Sequence, residues 1–192
     1  MKNIIQRKSN MPESAKKVFK GILFDVYHWQ QRLYDGSYST FEMLKRKNSV
    51  IVIPTTTDKK ILFLEQKQPN KHPFYSFPGG RVNDGESPKN ASLRELREET
   101  GFVPEKIELW KTFQPASKME YFVYAFIAKN CTRKVKPRTD SGESICIHKL
   151  TLDKLLALVY NRQYDPQSLM YEFLSAYYDK KYLSGINKLL FD

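Results

Sequence analysis

The chain has 192 residues, 41% hydrophobic and 14% aromatic, which is enough for one domain with a buried core and too apolar for a disordered chain. Its 32 Lys and Arg against 21 Asp and Glu leave a formal charge of +11, equally at home on a lysine-rich solvated surface and against an anionic partner. No run approaches about eighteen apolar residues, the start MKNIIQRKSNMPESAKK has no apolar signal core, and no zinc-finger, helix-turn-helix or RNP-like pattern is present, so membrane, secretory and nucleic-acid classes are not indicated.

In chain order, residues 1–17 read as a polar leader. VFKGILFDVYHW, from Val18 to Trp29, is rich in β-branched and aromatic residues and predicts strand, with YDGS marking a turn and FEMLKR ambiguous. SVIVIP and ILFLEQ are apolar strands around the polar turn TTTDKK and predict a hairpin, while QPNKHPFYSFPGG predicts loop from its Pro, Asn and Gly. Ser87, Pro88 and Gly101 frame a helix over 88–100 as cap, first-turn residue and terminator. IELWKTFQ, YFVYAFIAK and SICIHKL predict strands, the last after the basic loop RKVKPRTDSGE. TLDKLLALVY, capped by Thr151, and DPQSLMYEFLSAYY, opened by Asp165 and Pro166, predict amphipathic helices. The chain is therefore of mixed α/β class. Cys131 and Cys146 lack CxxC spacing and read as reduced thiols of a cytoplasmic protein.

Within the central helix, Glu95, Glu98 and Glu99 share one face near the C-terminal end, where the helix dipole favours cations. Two carboxylates about 6 Å apart repel by roughly 0.7 kcal/mol in water and about 3 kcal/mol near a protein surface. A divalent cation reverses that sign, and oxygen donors without Cys or clustered His suit Mg²⁺ or Mn²⁺. The bland alternative is a solvated face with ion pairs to Arg94 and Arg97.

The spacing decides between them. Gly80, five residues, Glu86, seven residues, Arg94-Glu95-Leu96, one residue, Glu98-Glu99, one residue, then Gly101-Phe102 resembles the Nudix box of the Nudix hydrolase superfamily at every fixed position. The resemblance implies a Nudix fold: an α/β/α sandwich with a mixed sheet that hydrolyses nucleoside diphosphate derivatives with a divalent metal, here Mg²⁺ with Mn²⁺ able to substitute. By position it implies metal ligands at Glu95, Glu98, Glu99 and the carbonyl of Gly79, and a structural frame of Gly80, Glu86 and Gly101. Arg94 would pair with Glu86 to hold the loop against the helix, and Arg94 and Glu98 join the catalytic set.

The layout ahead of the box is similar to the ADP-ribose pyrophosphatase and nucleoside diphosphate sugar hydrolase branch, with Pro115 near that branch's downstream proline. This implies a small N-terminal antiparallel sheet, residues 18–47, that builds a homodimer ahead of a hydrolase domain at 48–192. It also implies a small nucleotide as substrate. Glu143 falls where the branch holds an extra catalytic glutamate, as base or further ligand, with Asp140 as its rival. Two departures stand out. Glu65-Gln66-Lys67-Gln68 replaces an Arg-Gln-Tyr-Arg-like run and Ser76-Phe77-Pro78 replaces Glu-Leu-Pro, so the arginine expected on the diphosphate is missing. Lys67 or Lys71 can supply a point charge there but not a bidentate fork. Phe74, Tyr75 and Arg81 complete the candidate substrate contacts, the two rings as base-stacking or as core residues. His148 reads as a satisfied strand residue. Two other readings remain open: a Nudix fold that binds without turnover, and an RNA-cap or dinucleoside polyphosphate hydrolase.

Overall fold

A computed structural model describes residues 10–138, 142, 144–161 and 169–192. The chain opens with β1 (Lys16–Lys20), which takes in two residues expected in the leader, followed by β2 (Asp25–Arg32) and β3 (Tyr38–Lys45). The YDGS turn forms as expected: Asp35 accepts from the backbone and hydroxyl of Ser37, and Gly36 has φ +87°. The ambiguous FEMLKR is strand, laddered on β2 from Tyr38 opposite Arg32 to Lys45 opposite Asp25. Among the described residues one face of this meander is covered, so Trp29 and Met43 are buried while most of their neighbours are exposed.

The core follows as β4 (Ser49–Pro54), β5 (Ile61–Lys67), β6 (Phe74–Ser76), β7 (Gly79–Arg81), α1 (Pro88–Thr100), β8 (Phe102–Val103), β9 (Lys106–Phe113), β10 (Met119–Glu120), β11 (Val123–Lys129), β12 (Thr132–Arg133), β13 (Ser144–Leu150), α2 (Leu152–Tyr160), α3 (Met170–Tyr178) and α4 (Lys180–Phe191). Two expectations fail here. β4 and β5 are not a hairpin: a single bridge, Thr55 to Ile61, joins them, and they lie in different sheets, ordered β7-β4-β11-β9 and β13-β5-β6. Both strands are apolar along their length and buried on both faces, so each takes neighbours on both sides, β4 parallel to β11 and antiparallel to β7. The presumed loop also contains β6, which turns back antiparallel on the preceding β5, and the start of β7, which pairs with the more remote β4 despite its Pro and Gly content.

Alternate side chains of these strands serve two layers. Val50, Val52, Leu62, Phe126 and Ala128 pack with Ala91 and Leu96 of α1. Ile53, Ile61, Phe63, Ala125 and Ile127 pack with Leu155, Phe173, Ile186 and Leu190 of the C-terminal helices. The result is the expected α/β/α sandwich. The N-terminal sheet is tied to it by β10, which lies parallel to β3 in the order β1-β2-β3-β10. Thr151 caps α2 as expected. Asp165 and Pro166 lie outside the described residues; α4 is a separate helix capped by Asp179, and Glu172 fastens α3 to Lys111 of β9 and Tyr182 of α4.

α1 keeps its predicted ends. Ser87 Oγ accepts from Asn90 N at 3.2 Å, and Gly101, at φ +73°, donates its N to Arg97 O at 2.8 Å. A Cβ on Gly101 would stand 2.1 Å from the carbonyl oxygen of Val135, with left-handed strain added. Gly101→Ala should therefore destabilise the fold by at least about 1–3 kcal/mol in thermal unfolding. Gly85→Ala, where φ is +75° but the space is open, should cost only about 1 kcal/mol. Equal costs at the two sites would refute the clash.

Candidate active site

Gly79 and Gly80 open β7, and the loop from Arg81 to Ser87 returns the chain to the start of α1. Arg94, directly before Glu95 and one turn before Glu98, clasps the two ends together. Its Nε and Nη2 donate to Glu86 Oε1 and Oε2 at 2.9 and 3.0 Å, and Nη2 donates to Arg81 O at 3.0 Å. Its Nη1 donates to Glu95 Oε1 at 2.8 Å and to Glu98 Oε2 at 3.1 Å. Glu86 also accepts from Asn83 N at 3.0 Å. The pair expected between Arg94 and Glu86 is thus a five-bond hub, and its i,i+4 contact to Glu98 relieves part of the repulsion on the glutamate face.

The other carboxylates are positioned by glycines. Glu99 is buried, and its Oε2 accepts from Gly79 N at 2.9 Å. A Cβ on Gly80 would come within 2.3 Å of Glu95 Oε1, so only glycine leaves room for that carboxylate. Glu98 is the accessible member, its side chain 47% exposed against 14% for Glu95. All three offer oxygen alone, the donor set of a hard divalent cation. Among the described residues no three acidic, His or Cys side chains already stand together as a ligand set. A cation here would therefore draw Glu95 and Glu98 from the Arg94 guanidinium, a fit that requires side-chain rotation and no change of fold.

Burial pushes the Glu95 carboxyl above its ordinary range; Arg94 opposes the shift, and the charges of Glu98 and Glu86 add to it. A raised folded-state value means that stability from the protonated form is present below the unfolded value and lost as pH rises through the folded one. At neutral pH the charge is therefore a net cost. Glu95→Gln, which keeps the acceptor facing Arg94, should raise the metal-free melting temperature by a few degrees and weaken Mg²⁺ binding in titration calorimetry. A lower melting temperature would show that the Arg94 pair outweighs desolvation.

The remaining predicted residues divide. Arg81 contributes its carbonyl to Arg94, and its side chain is exposed. Lys67 is exposed and faces Ser144 across the ladder. Lys71 lies over the ring of Phe74, 3.4 Å from its centroid. Tyr75 packs flat on Phe63 and edge-on to His148, which is the core-residue alternative for that ring. His148 is satisfied, as expected, by Glu65 at 3.1 Å. Glu143 and Asp140 lie outside the described residues. Sequence reasoning gave Arg97 only as an ion-pair partner on a solvated face, and Lys136 and Arg138 only as part of a basic loop. They line one cleft with Glu98; the density of Lys and Arg in the loop was visible, but its destination was not.

A doubly covered mixed sheet carries these carboxylates on a loop–helix–loop frame, an arrangement and donor set that suit a metal-assisted hydrolase. The NUDIX domain family matches residues 45–169. This chain belongs to the Nudix family, whose members generally use divalent metals, and it is a pyrophosphohydrolase of nucleoside diphosphate derivatives. It is 29% identical over 159 residues to an ADP-ribose pyrophosphatase of Bacillus subtilis (strain 168), covering 81% of this chain and 86% of that one. It is 33% identical over 116 residues to an ADP-sugar pyrophosphatase of Mus musculus, covering 56% and 49% of the two chains. A crystal structure of an ADP compounds hydrolase superposes with a TM-score of 0.72 at 17% identity, covering 96% of this chain and 98% of that one, which supports the fold. No helix among the described residues is long and apolar enough to cross a membrane.

Proposed function

We propose that the chain hydrolyses the diphosphate linkage of ADP-ribose or a related nucleoside diphosphate sugar with Mg²⁺, Mn²⁺ substituting. The observation that carries this is the clasp of Arg94 on Glu86, Glu95 and Glu98, with Glu99 held to Gly79, which presents the carboxylates on one face of α1. Glu95, Glu98, Glu99 and the Gly79 carbonyl are the groups that would hold the cation. When bound, a divalent cation neutralises diphosphate charge and lowers the pKa of an attacking water. Arg94 positions the carboxylates, and Glu143 is the proposed base, because carboxylates committed to a cation are poor proton acceptors. Phe74 offers a ring, and Lys67 and Arg81 charges, for the substrate, while Tyr75 is committed to the core.

Residues 18–47 are proposed to build a homodimer ahead of the hydrolase domain at 48–192. β1 is an edge strand with Val18 and Phe19 53% and 61% exposed, and Ile22 stands fully exposed in the adjoining turn. A monomer in light scattering at tens of micromolar would count against it. The two free cysteines, with Cys131 buried and its thiol pushed up to about 12 by burial, support a reducing, cytoplasmic setting. Small nucleotides, not nucleic acid, are the proposed partners.

The deciding experiment assays ADP-ribose, nucleoside diphosphate sugars, dinucleoside polyphosphates and capped RNA with Mg²⁺ or Mn²⁺. Turnover led by ADP-ribose or a nucleotide sugar is expected. Preference for capped RNA, or tight binding without turnover of any substrate, would overturn the proposal.

A further inference from the structure

The C-terminal end of α1 carries a cluster of charge that the carboxylate site does not use. After β12 the chain folds back over this end: Lys134 N and Val135 N donate to Gly101 O, and Arg138 N donates to Glu98 O at 2.7 Å. The fold thereby brings Arg97, Lys136 and Arg138 to one cleft of about 890 Å³ shared with Arg94 and Glu98. Arg94 is engaged by Glu86, Glu95 and Glu98. The other three cations are exposed, and none has an ion-pair partner among the described residues.

Like charges converging on one cleft repel unless an anion joins them. The helix dipole welcomes cations at this end, but that effect acts within the last turn and accounts best for Arg97; Lys136 and Arg138 arrive from another segment. The cleft also lies within the size range of small-molecule sites, roughly 300–1,000 Å³, and adjoins Glu98, the exposed member of the proposed ligand set.

We infer that Arg97, Lys136 and Arg138 cradle the phosphates of the nucleoside diphosphate substrate. The inference rests on the proposed function and deepens it. It supplies the bidentate guanidinium that Glu65-Gln66-Lys67-Gln68 does not, from Arg97 near the end of α1 and Arg138 on the loop after β12, with Lys136 as a point charge. The residues bind and orient; they transfer no proton.

The test is titration calorimetry of the full chain with ADP in EDTA and in Mg²⁺, beside adenosine as a phosphate-free control. Arg97→Gln and Arg138→Gln should each weaken ADP binding about tenfold and reduce its salt dependence, leaving the adenosine signal and the melting temperature near wild type. In turnover they should raise KM with kcat largely kept. Unchanged ADP affinity with a lowered melting temperature would overturn the cradle and assign the cations to the helix end. Absence of ADP binding by wild type in both media, or tighter binding of a 5′-triphosphorylated oligonucleotide than of ADP, would overturn it too. Failure of the substrate assay with arginine-dependent ADP binding intact would sink the proposed function and leave the cradle standing.

Discussion

Arg94→Ala should melt roughly 10 °C below wild type at neutral pH and lack activity. The guanidinium makes five hydrogen bonds, two to Glu86 and one each to Glu95, Glu98 and Arg81 O. Glu86 and Glu95 are only 16% and 14% exposed. Removing the shared cation leaves two enclosed carboxylates unpaired, a loss of about 3–5 kcal/mol when one partner of a buried pair is deleted. At this chain length each kcal/mol moves the melting temperature by about 2–4 °C. Arg94→Lys should recover only part, since an ammonium cannot reproduce the fork. The pH dependence has a defined sign. The hydrogen bond from Arg94 is the main cause holding the Glu86 carboxyl below its ordinary 4.5. Stability from a depressed group is present above the unfolded value and lost as pH falls through the folded one. The gap between wild type and variant should therefore be widest near neutrality and narrow below about pH 4.5. A gap independent of pH would show that lost packing, not the ion pair, dominates.

Glu98→Gln should separate catalysis from folding. Glu98 is half exposed and, among the described residues, its side chain is bonded only by Arg94 Nη1; Gln keeps the shape and an acceptor. Stability should stay within about 0.5 kcal/mol of wild type, as for ordinary surface changes. Turnover should fall by about 10²–10³-fold or more, the scale of losing one group that stabilises transition-state charge, and the Mg²⁺ concentration for half-maximal rate should rise. Near-full kcat at every Mg²⁺ concentration would remove Glu98 from the ligand set. A loss of both stability and activity is the signature of Arg94; a loss of activity alone is that of Glu98.

The sequence alone determined those features whose physics is local. Ser87, Pro88 and Gly101 delimit α1 because caps and a left-handed terminator act within a few residues of their own backbone. The spacing from Gly80 to Phe102 named the family, since a loop, one helix and its end hold the whole constellation in one continuous stretch. Tertiary structure alone decided the rest. Whether SVIVIP pairs with the next strand or with Val123–Ala128 is not written in either segment, because both pairings satisfy the same apolar pattern. β7 exists because β4 offers it a ladder, and β10 binds the N-terminal sheet to the core through partners more than seventy residues away in the chain. The same holds in the site. Arg94 was legible as the partner of Glu86 and, along its own helix, of the glutamate face, but its contact to Arg81 O emerges only when β7 lies against α1. Arg97 and Arg138 line one cleft because the loop after β12 hydrogen-bonds the end of that helix. Local rules reach a turn or two along the chain, whereas convergence of charge is set by which distant segments the core forces together.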